Sequence, residues 1–93
     1  MKVHYYARTE VVRLLHVDPE LIELLEAEQL LAGRRGRYTS DDLERVRVAA
    51  ELADLDVNPQ GVAVILRMRE QWLSERTELR SVIEALRARL GRR

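Results

Sequence analysis

The sequence contains no cysteine and no phenylalanine, and its only tryptophan is Trp72. Without thiols there can be no disulfide, no Cys-ligated zinc, no iron–sulfur cluster and no thiol catalysis. With three tyrosines as the remaining aromatics, the core has to be built from Leu, Val, Ile and Ala. No apolar run approaches the roughly 18 to 20 residues that cross a bilayer, and the first residues lack the apolar centre of a signal peptide. The chain therefore reads as cytoplasmic. His4 and His16 are too few for a metal site, and no spaced carboxylate supports them. Ser40 and Ser74 have no companions for nucleophilic catalysis, and phosphate-loop and dinucleotide fingerprints are missing. The expectation is a non-enzymatic protein with no cofactor.

What is present suffices for one domain: 93 residues, 46% hydrophobic and 34% charged, outside the range of disordered chains. A chain this short has little apolar surface to bury alone, which points to a partner or a homodimer. The zero net charge is assembled from blocks: +2 over residues 1–17, −5 over 18–28, +3 over 29–38, −4 over 39–60, none over 61–86 and +4 over 87–93. Such segregation governs which partners can approach.

Val3-His4-Tyr5-Tyr6-Ala7 is rich in β-formers and predicts a short strand. Thr9 is placed to cap a first helix carrying Val11, Val12, Leu14 and Leu15 on one side. That helix ends near His16, in a conformation that His tolerates better than most residues. Asp18-Pro19 starts a second helix, with Asp at the cap and Pro in the first turn. Gly33-Arg34-Arg35-Gly36-Arg37-Tyr38 suits a basic hairpin tip. Thr39-Ser40-Asp41-Asp42 is a strong start for a third helix, which ends near Asp54. Asn58-Pro59 then restarts the chain as a fourth helix running to about Leu90.

That last helix is longer than so small a domain can cover. Ile65, Trp72, Leu79 and Leu86 recur every seven residues, with Met68 and Val82 between them and Glu75 and Arg89 at the two polar steps. The pattern predicts a seam for self-association. In a parallel pair two Glu75 side chains would face each other, so an antiparallel pair, with a cation near Glu75, is expected.

Strand, helix–turn–helix, basic hairpin, third helix and long terminal helix is an order that resembles the MerR-like winged helix–turn–helix proteins. Residues 9–19 look like that family's first helix and turn. Residues 37–47 look like the end of its wing and its third helix, and residues 54–62 are similar to a segment shared by HspR-type heat-shock repressors and CbpM-type chaperone modulators. The resemblance implies a mainly α fold: a winged helix–turn–helix over residues 1–57, with a small β wing, and a coiled-coil helix over 58–93. Where DNA-binding members carry an Arg, a Thr and an aromatic on the second helix, this sequence has Glu23, Leu21 and Leu25. CbpM-type modulators similarly keep the fold without the basic reading surface. They regulate the Hsp70 system by binding the J-domain of a DnaJ-type co-chaperone, whose Hsp70-binding helix is basic.

Two functions are therefore carried forward. The first is a CbpM-like modulator that docks a J-domain through Glu20, Glu23 and Glu28, with the terminal helix pairing in a homodimer. The alternative is a dimeric transcriptional regulator whose wing residues Arg34, Arg35, Arg37 and Tyr38 contact DNA. A second helix with carboxylates where base-reading donors are needed makes specific DNA binding the weaker expectation.

Overall fold

The computed structural model describes residues 4–33 and 36–91, arranged as four helices. These are α1 (Arg8–Leu15), α2 (Pro19–Ala27), α3 (Ser40–Asp54) and α4 (Pro59–Leu90). No described helix is long and apolar enough to cross a membrane.

Three of the four helix starts are set by the caps read from the sequence. The Asp18 carboxylate accepts the Glu20 N–H at 2.9 Å, Thr39 and Asp42 form a reciprocal capping box, and Asn58 accepts the Gly61 N–H at 2.7 Å. The fourth differs. α1 begins at Arg8 with Ala7 at its cap, and Glu10 reaches back to accept the Ala7 N–H at 3.1 Å, so Thr9 lies inside the first turn rather than capping it. Three helices end on a left-handed residue that is not glycine: His16 (φ 53°), Gln29 (φ 57°) and Asp56 (φ 64°). At the last two, the chain closes by hydrogen bonds from Leu30 N to Leu25 O (2.8 Å) and from Val57 N to Leu52 O (3.1 Å).

The core joins all four helices. Val11 of α1, Ile22 and Leu25 of α2, Val46 and Ala49 of α3 and Val62 and Leu66 of α4 are buried, with Val17 and Tyr38 between elements. Each fully buried Ile, Leu or Val contributes about 1.5 to 3 kcal/mol over an exposed one. The first two turns of the long helix thus belong to the same core as the helix–turn–helix.

The expected strand and β wing are represented among the described residues by backbone pairing at Tyr6, Arg37 and Tyr38. Tyr6 and Tyr38 form an antiparallel bridge, exchanging two backbone hydrogen bonds of 2.8 Å, and Arg37 next to it is also in bridge conformation. Arg34 and Arg35, and Val3 of the expected strand, lie outside the described residues. On the arm before the tip, two backbone donors serve a side chain. The N–H groups of Ala32 and Gly33 each donate to the Asp42 carboxylate, both at 2.7 Å.

Candidate functional site

α1, the turn at His16–Asp18 and α2 form the helix–turn–helix, with Val11, Ile22 and Leu25 locking the two helices onto α3. In such a unit the second helix is the reading element, and its N-terminal residues meet the partner. On α2, Glu20, Glu23 and Ala27 fall on one face by their spacing, and all three are exposed. Glu28 sits round the helix, half-buried beside α4. The three predicted docking carboxylates are therefore not one cluster.

Their charge is also less free than the acidic block suggests. Arg8 of α1 reaches across to Glu26 at 2.9 Å and to Glu23 at 3.4 Å. Glu26 additionally accepts the Tyr38 hydroxyl, and Arg67 of α4 pairs with Glu28. The Tyr38 hydrogen bond holds the Glu26 carboxyl below its ordinary range; partial burial opposes this and Arg8 adds to it. Burial, and then the Glu26 hydrogen bond, raise the Tyr38 phenol. Glu20 has no ion pair among the described residues, while its backbone N–H is held by Asp18. The segment 18–28 itself carries no cation; the compensating Arg8 and Arg67 come from outside it.

The residues of the DNA alternative separate in space. Tyr38 is a core side chain, 2% exposed, with its hydroxyl committed to Glu26. It cannot reach a phosphate without leaving the core. Arg37 is exposed, as is Arg13 on α1. The seam residues Ile65, Trp72, Leu79 and Leu86 are exposed on α4, so the domain itself does not use them.

A second polar centre was not anticipated from the sequence beyond its capping role. Asp42 is fully buried and accepts from Ala32, Gly33 and Thr39 N–H and from Arg45 Nη1, at 2.7, 2.7, 3.0 and 2.8 Å. Burial is the largest influence on its carboxyl and opposes the charge. The hydrogen bonds from Thr39, Ala32 and Gly33 together outweigh it and hold the carboxyl below its usual value. Arg45 carries the network on to Glu70 of α4 at 2.6 Å. The only signal in the sequence was the T-x-x-D spacing of a capping box, which does not reveal what else the carboxylate collects. Among the described residues no group of three or more His, Asp or Glu is arranged to hold a metal.

Residues 6–69 match the MerR HTH family of regulatory proteins. That span is more than half of the chain and takes in the bridge, α1 to α3 and the buried turns of α4, so the chain belongs to this family. No curated protein and no solved structure matches the chain.

Proposed function

We propose that this MerR-family regulator acts without catalysis, by docking a basic protein surface on α2 in the manner of a CbpM-type modulator bound to a DnaJ-type J-domain. One observation carries the reading. The reading helix Pro19–Ala27 offers only carboxylates and apolar side chains, with no Arg, Lys, Asn or Gln to donate to a base edge. Glu20 and Glu23, with Ala27 between turns, form an acidic face of the kind a cationic helix would meet. Because Arg8 already shares Glu23, Glu20 supplies the larger free charge.

The test is titration calorimetry with a purified J-domain at several salt concentrations. Glu20→Lys is expected to weaken binding about five- to tenfold at low salt, with unchanged circular dichroism, and the difference is expected to shrink as salt rises. An unchanged affinity would remove α2 as the docking face.

The HspR-type reading, a DNA-binding transcriptional regulator, is supported by the family itself and by exposed Arg13 and Arg37. A sequence-selective complex with its own promoter fragment that survives physiological salt, and is lost in Arg37→Ala, would replace the first reading. Binding that ignores sequence and disappears by that salt is the non-specific phosphate term alone.

A further inference from the structure

Arg8 stands where local rules disfavour it. It is the first residue of α1, at the positive end of the helix dipole, where a carboxylate rather than a guanidinium is stabilised. The start of the helix does not depend on its side chain. Glu10 makes the cap by accepting the Ala7 N–H, and Val11 supplies the buried contact. The Arg8 guanidinium is carried across to α2 instead, to carboxylates 15 and 18 residues away in sequence.

That contact is separable from the fold. Glu26 also accepts the Tyr38 hydroxyl from the core, so it keeps a partner when Arg8 leaves. Glu23 has only Arg8 among the described residues, at the longer distance of 3.4 Å, and its side chain is 62% exposed. Ion pairs this open to water add little to stability. Glu23 nevertheless lies one turn from Glu20 on the exposed face of α2. A guanidinium resting there neutralises part of that face and meets an approaching cation with like charge.

We infer that Arg8 is an internal competitor for the docking face: it occupies Glu23 in the free protein and is displaced by a cationic side chain of the bound partner. The inference rests on the docking of a basic protein surface to α2. Its consequence is selectivity. A partner with one cation meets Glu20 and keeps Arg8 as a like-charged neighbour. A partner with a second cation opposite Glu23 replaces the pair it breaks. Arg8 thereby discriminates against weakly basic partners by repulsion as well as by occupancy. Arg67 supplies a built-in comparison. It pairs with Glu28, round the helix beside α4 and away from Glu20 and Glu23. Removing either arginine changes the net charge by one unit, but only the loss of Arg8 frees a carboxylate of the docking face.

The experiment is titration calorimetry of the full chain with a purified DnaJ-type J-domain, at low and at physiological salt. At low salt Arg8→Gln is expected to bind about three- to tenfold tighter than wild type, and Arg67→Gln to stay within about twofold of it. Arg8→Lys keeps the charge, but one ammonium cannot fork between two carboxylates, so a gain of about twofold is expected. In wild type the Arg8 Nε–H resonance is expected to shift on saturation with the J-domain, and its exchange with water to quicken. Should Arg8→Gln not fold, Arg8→Lys and that resonance carry the test. Arg8→Gln binding no tighter, while Glu20→Lys binds more weakly, would overturn the competitor and leave the docking face standing. Equal gains in Arg8→Gln and Arg67→Gln would reduce the effect to net charge and overturn it too. Glu20→Lys without effect, or no binding by either wild type or Arg8→Gln, would overturn the docking face and the competitor together.

Discussion

Replacing Asp42 by Asn changes one atom of a fully buried side chain, and its cost can be worked from the hydrogen bonds. Oδ1 serves Ala32 N–H and Arg45, and Oδ2 serves Gly33 N–H and Thr39 N–H. Whichever way the amide turns, its NH₂ group faces two donors, and the remaining oxygen accepts for the other pair without a full charge. An unsatisfied buried donor costs about 1 to 3 kcal/mol, and breaking a buried charge pair about 3 to 5. Asp42→Asn is therefore expected to lose about 3 to 5 kcal/mol, comparable to the whole stability of a domain this size at roughly 0.05 to 0.15 kcal/mol per residue. A loss of 3 kcal/mol corresponds to a fall in melting temperature of roughly 12 to 24 °C. The carboxyl is held below the ordinary value of 3.8, so its stabilisation is complete above that pH and is lost as pH falls through the lower folded value. The gap between wild type and variant in urea unfolding should then be constant from neutral pH down to about 5 and close on further acidification. A variant within 1 kcal/mol of wild type at neutral pH, or a gap that persists unchanged into strong acid, would refute the reasoning.

Three further substitutions probe separate parts of the fold. Gly33→Ala brings a Cβ to 2.0 Å from the Arg37 carbonyl oxygen and 2.8 Å from the Asp42 carboxylate, and is expected to cost about 2 to 3 kcal/mol by chemical denaturation. His16→Gly relieves a left-handed non-glycine residue; the gain, offset by the greater freedom of an unfolded glycine, is expected at up to about 1 kcal/mol, read as a raised melting temperature. Tyr38→Phe keeps the buried ring and loses the hydroxyl bond to Glu26, with an expected loss of about 1 kcal/mol and a Glu26 carboxyl that titrates at higher pH by NMR.

Helix boundaries were legible where the determinant is local. Asp18-Pro19, Thr39 with Asp42 and Asn58-Pro59 each settle a helix start within four residues, and α4 runs from Pro59 to Leu90 as its uninterrupted pattern requires. The turn at His16 was legible for the same reason. What eluded the sequence depends on partners far along the chain. Nothing near Glu23 or Glu26 announces Arg8, and nothing near Glu28 announces Arg67, so the acidic block overstated the free charge of α2. The basic hairpin was read from its glycines and arginines, but the N–H groups before its tip are claimed by Asp42, ten and nine residues away. Tyr38 shows the same limit: adjacent to arginines in sequence, it is a core residue in space.

The projection of α4 beyond Leu73 divides the chain into two regimes of backbone protection. Up to that point, amides are shielded by a core shared among four helices and should exchange with solvent only on global opening. From Ser74 to Leu90 every residue is exposed and none is buried in the core, and an isolated helix of this length is marginal in water. In the monomer these amides should exchange by local fraying, many orders of magnitude faster than those of Val62 or Leu66. A single helix, continuous in geometry, is thus two cooperative units in thermodynamics, and unfolding followed by core burial and by total helicity should give transitions that do not coincide.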